Sequence, residues 1–201
     1  MDATVTSDDG VTRCGWAHSA PEMLAYHDDE WGRPLHGDGA LFEKICLETF
    51  QSGLAWITIL RKREAFREAF ARFDIDEVAA FGDADTERLL SDARIVRNRA
   101  KIAATISNAR AAKAMVDDEP GSLDRLLWGF APPPREAAPA SYASIAPSTP
   151  ESAAASAALK ARGFRFVGPT TVYALMQYAG LVNDHAAGCQ LAVAVSPGDR
   201  S

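Results

Sequence analysis

Two pairs of potential metal ligands lie at opposite ends of this chain. Cys14 and His27 fall within the first thirty residues, and His185 and Cys189 fall close to the C-terminus. Two Cys and two His make a complete tetrahedral zinc set, and four protein ligands leave no open position for water. An ion shared by all four would therefore hold structure and perform no chemistry, and the last folded segment would have to return to the first. Spacing alone leaves this open. Twelve residues separate Cys14 from His27, unlike a tight zinc ribbon. The His-x3-Cys pair would share one face of a helix, but that pattern is common.

Nothing in the composition demands an unusual architecture. The chain has 201 residues, 47% hydrophobic and 24% charged, enough for one domain or two small ones sharing a core. No apolar run approaches the ~20 residues of a membrane span. The polar, acidic start from Met1 to Thr12 does not read as a secretory signal. Three widely spaced cysteines argue against a disulfide framework and for a reducing cytoplasm. Cys46, between Ile45 and Leu47, reads as a small core hydrophobe. A formal net charge of −6 disfavours nonspecific coating of nucleic acid. From Arg88 to Lys113, however, seven basic residues face a single acid, Asp92. Such a stripe suits a small footprint on a polyanion or a solvated helix face.

The helical period dominates from Pro21 onward. Leu41, Phe42, Ile45 and Cys46 form one stripe, and Phe66, Phe70 and Phe73 another on a helix ending near Asp74. Short helices follow around Val78 and Leu89, then a longer one through Ile102, Ile106 and Ala109. Ser122 is placed to cap a helix over 123–130. Residues 131–147 read as a Pro- and Ala-rich loop. Ser148-Thr149-Pro150-Glu151, with capping-box spacing and a proline near the first turn, starts a further helix that stops at Gly163. The last helix covers 171–179, opened by Gly168-Pro169 and closed by Gly180. No period-2 strand stands out, so the expected fold class is all-α with many short helices. The expected organisation is a disordered tail over 1–12, one domain over 13–189 in two helical lobes, and a flexible tail over 190–201.

Three further features bear on chemistry. On the helix through Leu41 and Ile45, Glu48 lies at the edge of the apolar stripe, whereas Glu43 and Lys44 point away. A carboxylate there needs a partner, either an Arg or a polar or cationic ligand. Trp16, Tyr26, Trp31 and Trp56 are core aromatics or, beside a carboxylate, walls of a slot for a flat base, with a preference for a cationic one. The segment 89–102 reads as helix, tight turn, helix. Asn98 can cap the second helix, and the free N–H groups there, with Arg97, Arg99 and Lys101, make a phosphate seat.

Taken together, several strings resemble the bacterial DNA-3-methyladenine glycosylase I family. They are Arg13-Cys14-Gly15-Trp16, Ala25 to Gly32, Ile45-Cys46-Leu47-Glu48, Gly53 to Thr58, Ile95 to Ile102, Arg162 to Gly168, and Gly180 to His185. In order, they span nearly the whole chain. The resemblance implies a helix-hairpin-helix DNA glycosylase that removes N3-methylated purines, chiefly 3-methyladenine, from alkylated double-stranded DNA, with the free base as product. It implies one structural zinc on Cys14, His27, His185 and Cys189. It places the pocket carboxylate on Glu48, the stacking aromatics on Tyr26 and Trp56 with Trp16 lining the pocket, and the residue that enters the DNA stack on Leu54.

Two positions depart from the family pattern. Arg94 replaces the usual hairpin glycine, which would cost roughly 1 kcal/mol in a left-handed turn, so either the turn is reshaped or Arg94 adds a phosphate contact. Met23 stands where some members carry a pocket-edge Tyr. With no lysine evident near these motifs as a Schiff-base nucleophile, base release without strand cleavage is expected. A monomeric, cytoplasmic enzyme with no membrane association is expected. A non-catalytic DNA-damage-binding module is the rival reading. A zinc deaminase is disfavoured because its His-x-Glu and Pro-Cys-x-x-Cys signatures are missing.

Overall fold

The computed structural model describes residues 2–192. Most of the expected C-terminal tail, residues 193–201, lies outside the described residues. Among them are two short strands, β1 (Thr4–Thr6) and β2 (Thr12–Cys14). Nine α-helices follow: α1 (Pro21–Asp29), α2 (Asp38–Gln51), α3 (Trp56–Ala69), α4 (Ile75–Ala80), α5 (Asp83–Ser91), α6 (Arg99–Asp118), α7 (Ser122–Trp128), α8 (Pro150–Ala161) and α9 (Pro169–Tyr178). The fold is thus mostly helical, as expected. The chain divides into two compact units. One comprises Met1–Pro34, Ala131–Pro147 and Met176–Ser201, and the other Leu35–Phe130 and Ser148–Leu175.

In the first unit, the segment expected to be disordered is ordered instead. β1 pairs antiparallel with β2, Thr4 opposite Cys14. Gly10 turns the hairpin at φ +79°, where a residue without Cβ adopts the left-handed region readily. Arg13 then gathers the turn, donating to Ser7 Oγ at 3.1 Å and to Asp9 Oδ1 at 3.0 Å. The start of the expected C-terminal tail is also held, because Gln190 N donates to the Thr12 carbonyl at 2.8 Å.

The second unit is built around α2. Leu41, Phe42, Ile45, Phe50, Phe66, Phe70, Ile102 and Leu123 are fully buried. Every residue from Lys44 to Phe50 is buried, so α2 is enclosed almost all round rather than along one stripe, as an apolar run such as Ile45-Cys46-Leu47 favours. Asn98 caps α6, its Oδ1 accepting from Lys101 N at 3.1 Å. Thr149 caps α8 through Ser152 N at 3.2 Å. Ser122 does not cap α7. Asp38 does so from the start of α2, accepting from Gly121 N at 2.6 Å and Asp124 N at 3.0 Å. A carboxylate reaches both orphan N–H groups, which Ser122, already inside the helix, cannot do.

The Phe stripe also differs from expectation. α3 ends at Ala69, and Ala71, Arg72 and Phe73 form a left-handed turn with φ of 51°, 53° and 57°. Each such residue costs roughly 1–2 kcal/mol. The turn nevertheless brings Phe73 back under the helix, where it is buried and stacks on Phe70 with ring centroids 5.6 Å apart.

Candidate functional site

The four ligands named from the sequence converge in the first unit. Cys14, His27, His185 and Cys189 are all buried, and their ligand atoms lie within 4.8 Å of one another. Cys14 ends β2, and His27 sits in the last turn of α1. His185 and Cys189 lie on an irregular loop and not on the helix that their spacing suggested. Gly188 turns that loop at φ +90°, and its freed N–H groups serve the sulfurs. Ala186 N lies 3.3 Å from Cys14 Sγ, and Leu191 N lies 3.5 Å from Cys189 Sγ. Gly32 is required here, since a Cβ would fall 2.9 Å from His185 Nε2 at a φ of +76°.

Each histidine turns one nitrogen inward and anchors the other. His27 Nδ1 donates to Asp28 Oδ1 at 2.7 Å, and His185 Nε2 donates to the Trp31 carbonyl at 3.3 Å. Asp28 is held in turn by Arg13 Nε at 2.8 Å. Such partners fix the tautomer and raise ligand basicity. A hydrogen bond from Cys14 lowers the Cys189 thiol, and the same contact, with burial, raises that of Cys14. Two soft sulfurs and two imidazoles in a dry cluster can hold a metal cation. Trp16 and Trp31 pack around it, Trp16 edge-on to His27 at 5.2 Å and Trp31 edge-on to His185 at 4.7 Å.

Tyr26 lies in the same unit, buried and stacked on Tyr178 with centroids 5.7 Å apart. Trp16 is 6.3 Å from Tyr26, and its buried Nε1 has no hydrogen-bond partner among the described residues.

Glu48 and Trp56 come together in the second unit. Glu48 is 4% exposed, and the group beside it was not foreseen. Lys44, read from the helical wheel as pointing away, is 2% exposed, with Nζ 3.0 Å from Glu48 Oε1 and 3.6 Å from the centroid of the Trp56 ring. The i, i+4 spacing of Lys44 and Glu48 on an enclosed helix was the available signal. Gly53, at φ +80°, breaks the chain between α2 and α3. It leaves Leu54 as an exposed large hydrophobic, 39% accessible. Gln51 braces that turn, accepting from Leu54 N through its carbonyl at 2.7 Å and donating through Nε2 to the Leu54 carbonyl at 3.1 Å.

Helices α5 and α6 flank the expected turn, and one residue named for the phosphate seat, Lys101, is placed differently. Arg97 and Arg99 are exposed, Arg99 pairing with Glu87 at 2.9 Å. Lys101 is not part of a phosphate seat: it is buried, and its Nζ donates to the carbonyls of Phe50 at 2.9 Å and Ser52 at 2.5 Å. Those are unsatisfied acceptors at the end of α2, and burial pushes the ammonium pKa down. Arg94 is not among the residues of positive φ. It folds onto Asp92 at 2.9 Å and Glu68 at 2.6 Å, so the turn accommodates it without left-handed strain.

A model of the methyladenine glycosylase family matches residues 16–192. The chain belongs to this family. It is 48% identical over 180 residues to DNA-3-methyladenine glycosylase 1 of Escherichia coli K12, covering 89% of this chain and 96% of that one. A crystal structure of 3-methyladenine DNA glycosylase I superposes with a TM-score of 0.85 at 49% identity, covering 89% of this chain and 98% of the other. A tyrosine-to-phenylalanine variant of 3-methyladenine DNA glycosylase I, solved in complex with 3-methyladenine, gives 0.83 at 32% identity, with 89% and 96% covered. The mostly helical fold of this family member is therefore the glycosylase fold.

Proposed function

We propose that this chain hydrolyses the N-glycosidic bond of N3-methylated purines, chiefly 3-methyladenine, in alkylated double-stranded DNA, the first step of base excision repair. Family membership along residues 16–192 carries the reading. It is supported by the E. coli relative and by a neighbour solved with the free base.

The chemistry asks little of the protein beyond placement. Methylation at N3 gives the base a positive charge and weakens its bond to the sugar, so the base is already a good leaving group. Glu48 is proposed to accept hydrogen bonds from the cationic base, and a carboxylate held out of water acts on that charge more strongly than a solvated one. Trp56 offers a ring face adjoining the carboxylate, and π-faces favour a cation over a neutral base. Tyr26 and Trp16 are proposed as further base contacts on the strength of the family resemblance. Leu54 is proposed to fill the gap left in the stack, where a rigid turn and an exposed apolar side chain suit the task. Arg97 and Arg99, beside the N-terminus of α6, are proposed to contact the DNA backbone. Water completes the hydrolysis.

The cation for the Cys2His2 cluster is proposed to be one zinc ion. Zinc–sulfur bonds of about 2.3 Å and zinc–nitrogen bonds of about 2.0–2.1 Å at tetrahedral angles imply S···N edges of about 3.5 Å and an N···N edge of about 3.3 Å. Three of the four S···N separations are 3.4, 3.6 and 3.6 Å, the N···N separation is 3.2 Å, and all four ligand atoms lie within 4.8 Å of one another. Held by Cys14, His27, His185 and Cys189, zinc would supply cross-linking and no catalysis. The protein is proposed to act as a cytoplasmic monomer, and among the described residues no helix is long and apolar enough to cross a membrane.

The test is a comparison of Glu48→Gln with the unaltered protein on methylated DNA. A folded Glu48→Gln protein should release 3-methyladenine at least about 100-fold more slowly, the size of effect expected of a lost charge-stabilising group. Full activity would remove Glu48 from the mechanism.

A further inference from the structure

We propose that the Lys44 ammonium occupies the base slot of the empty enzyme and is displaced by the cationic base. The proposal rests on the reading of Glu48 and Trp56 as base contacts. A flat ring stacked on Trp56 would lie about 3.5 Å above it. Lys44 Nζ is 3.6 Å from the Trp56 centroid and 3.0 Å from Glu48 Oε1. A base that both stacked on this face and bonded to Glu48 would have to pass through the volume that the ammonium fills.

The ammonium also has the chemistry of the ligand it stands in for. It is a compact cation making a charge-assisted contact to the carboxylate and a cation–π contact to the indole, the two interactions through which a methylated purine is distinguished from a neutral one. Its side chain is only 3% exposed and that of Glu48 5%. A carboxylate so buried is costly without a partner charge. Lys44 thus keeps the empty slot neutral, and an incoming cation exchanges one positive charge for another. The lysine stem, four methylenes long and flexible, allows the head to withdraw while the helix stays fixed. Lys44 therefore acts on the affinity of the site by competing for it. No step in base release requires a proton from it or a bond to it.

The competing arrangement keeps Lys44 on Glu48 while the base binds, as a support for the carboxylate, and the two make opposite predictions. The ligand for the test is 3,9-dimethyladeninium, a permanent cation that mimics the methylated base attached to a sugar, titrated by calorimetry at pH 7.5. Removing a competitor should tighten binding, so Lys44→Met should bind this cation about 30-fold more strongly than the unaltered protein, the scale of one desolvated cation–π contact. In unaltered protein carrying 13C-labelled lysine, the Lys44 Hε resonance should be shifted upfield by the Trp56 ring and move to the position of exposed lysines at saturation. Lys44→Arg, which loses the signal, assigns it. The resonance decides the matter even if Lys44→Met fails to fold. Binding that depends on Glu48 but is unchanged or weaker in Lys44→Met, or a Lys44 resonance that stays upfield at saturation, overturns the displacement alone. Failure of unaltered protein to bind the cation, or equal binding by Glu48→Gln, overturns the base-slot reading and this proposal with it.

Discussion

His27 Nδ1 lies 2.7 Å from Asp28 Oδ1, and the same carboxylate is held by Arg13 Nε at 2.8 Å. The contact sets the imidazole so that Nε2 faces Cys189 Sγ at 3.4 Å and His185 Nδ1 at 3.2 Å. Outer partners of this kind typically govern metal affinity by about 10–100-fold. Asp28→Asn should therefore lose zinc to a competing chelator at a concentration about tenfold lower or less, without removing a ligand. Chelator titration read by a zinc-sensitive dye measures this, and unchanged retention would mean that Asp28 serves only the Arg13 ion pair.

Freshly purified protein should carry about one zinc per chain by elemental analysis, and less than about half an equivalent would count against a structural ion. Stripping the metal should lower the melting temperature, because the ion binds the folded chain and not the unfolded one. Cys189→Ser should reproduce that loss. A stripped protein that melts at the same temperature would show that the cluster holds itself without an ion.

Lys101 and Arg97 now predict different phenotypes although both belong to the same basic stripe. Lys101→Met leaves the carbonyls of Phe50 and Ser52 without the ammonium that they share. It should cost about 1–3 kcal/mol of stability and leave the salt dependence of DNA binding unaltered. Arg97→Ala, at an exposed position, should leave stability intact and reduce the salt slope of DNA binding by about one. Denaturant melts and salt-dependent DNA titrations separate the two, and a Lys101 variant of normal stability but reduced salt slope would return it to the phosphate seat.

These two residues mark the limit of what the sequence discloses. Helix periods, the Asn98 cap and the glycine turns are local signals that reappear in the structure at or near the expected positions, and the capping box expected over Ser148–Glu151 is shifted by one residue to Thr149 and Ser152. The partners of Lys101 and Asp38 are set by tertiary packing, whereas the Lys44–Glu48 pair is local at i, i+4 and only its burial depends on what encloses the helix. A basic stripe does not say which member turns inward to meet the carbonyls ending α2, nor does a wheel drawn for one apolar stripe describe a helix enclosed almost all round. The metal ligands were legible as residue types, but the loop that carries His185 and Cys189 was not, because i, i+4 spacing also arises where a glycine reverses the chain. Ala71, Arg72 and Phe73 show the same override, with a buried Phe stack outweighing local backbone preference.

Asp38 provides the cap that α7 lacks in its own sequence, accepting from Gly121 N and Asp124 N. Asp38→Ala should destabilise the protein by about 1 kcal/mol, the typical worth of a helix cap. Base excision should be unaffected at temperatures where the protein is folded. A larger loss of activity than of stability would give Asp38 a role that its contacts do not explain.

The most direct test of the account is to incubate zinc-replete, folded protein with DNA methylated at purine N3 and to identify the bases released by chromatography. The account predicts free 3-methyladenine, with the DNA strand left uncut until the abasic sites are cleaved by other means. Tight binding to methylated DNA with no base released would contradict it and leave a damage-binding module in its place.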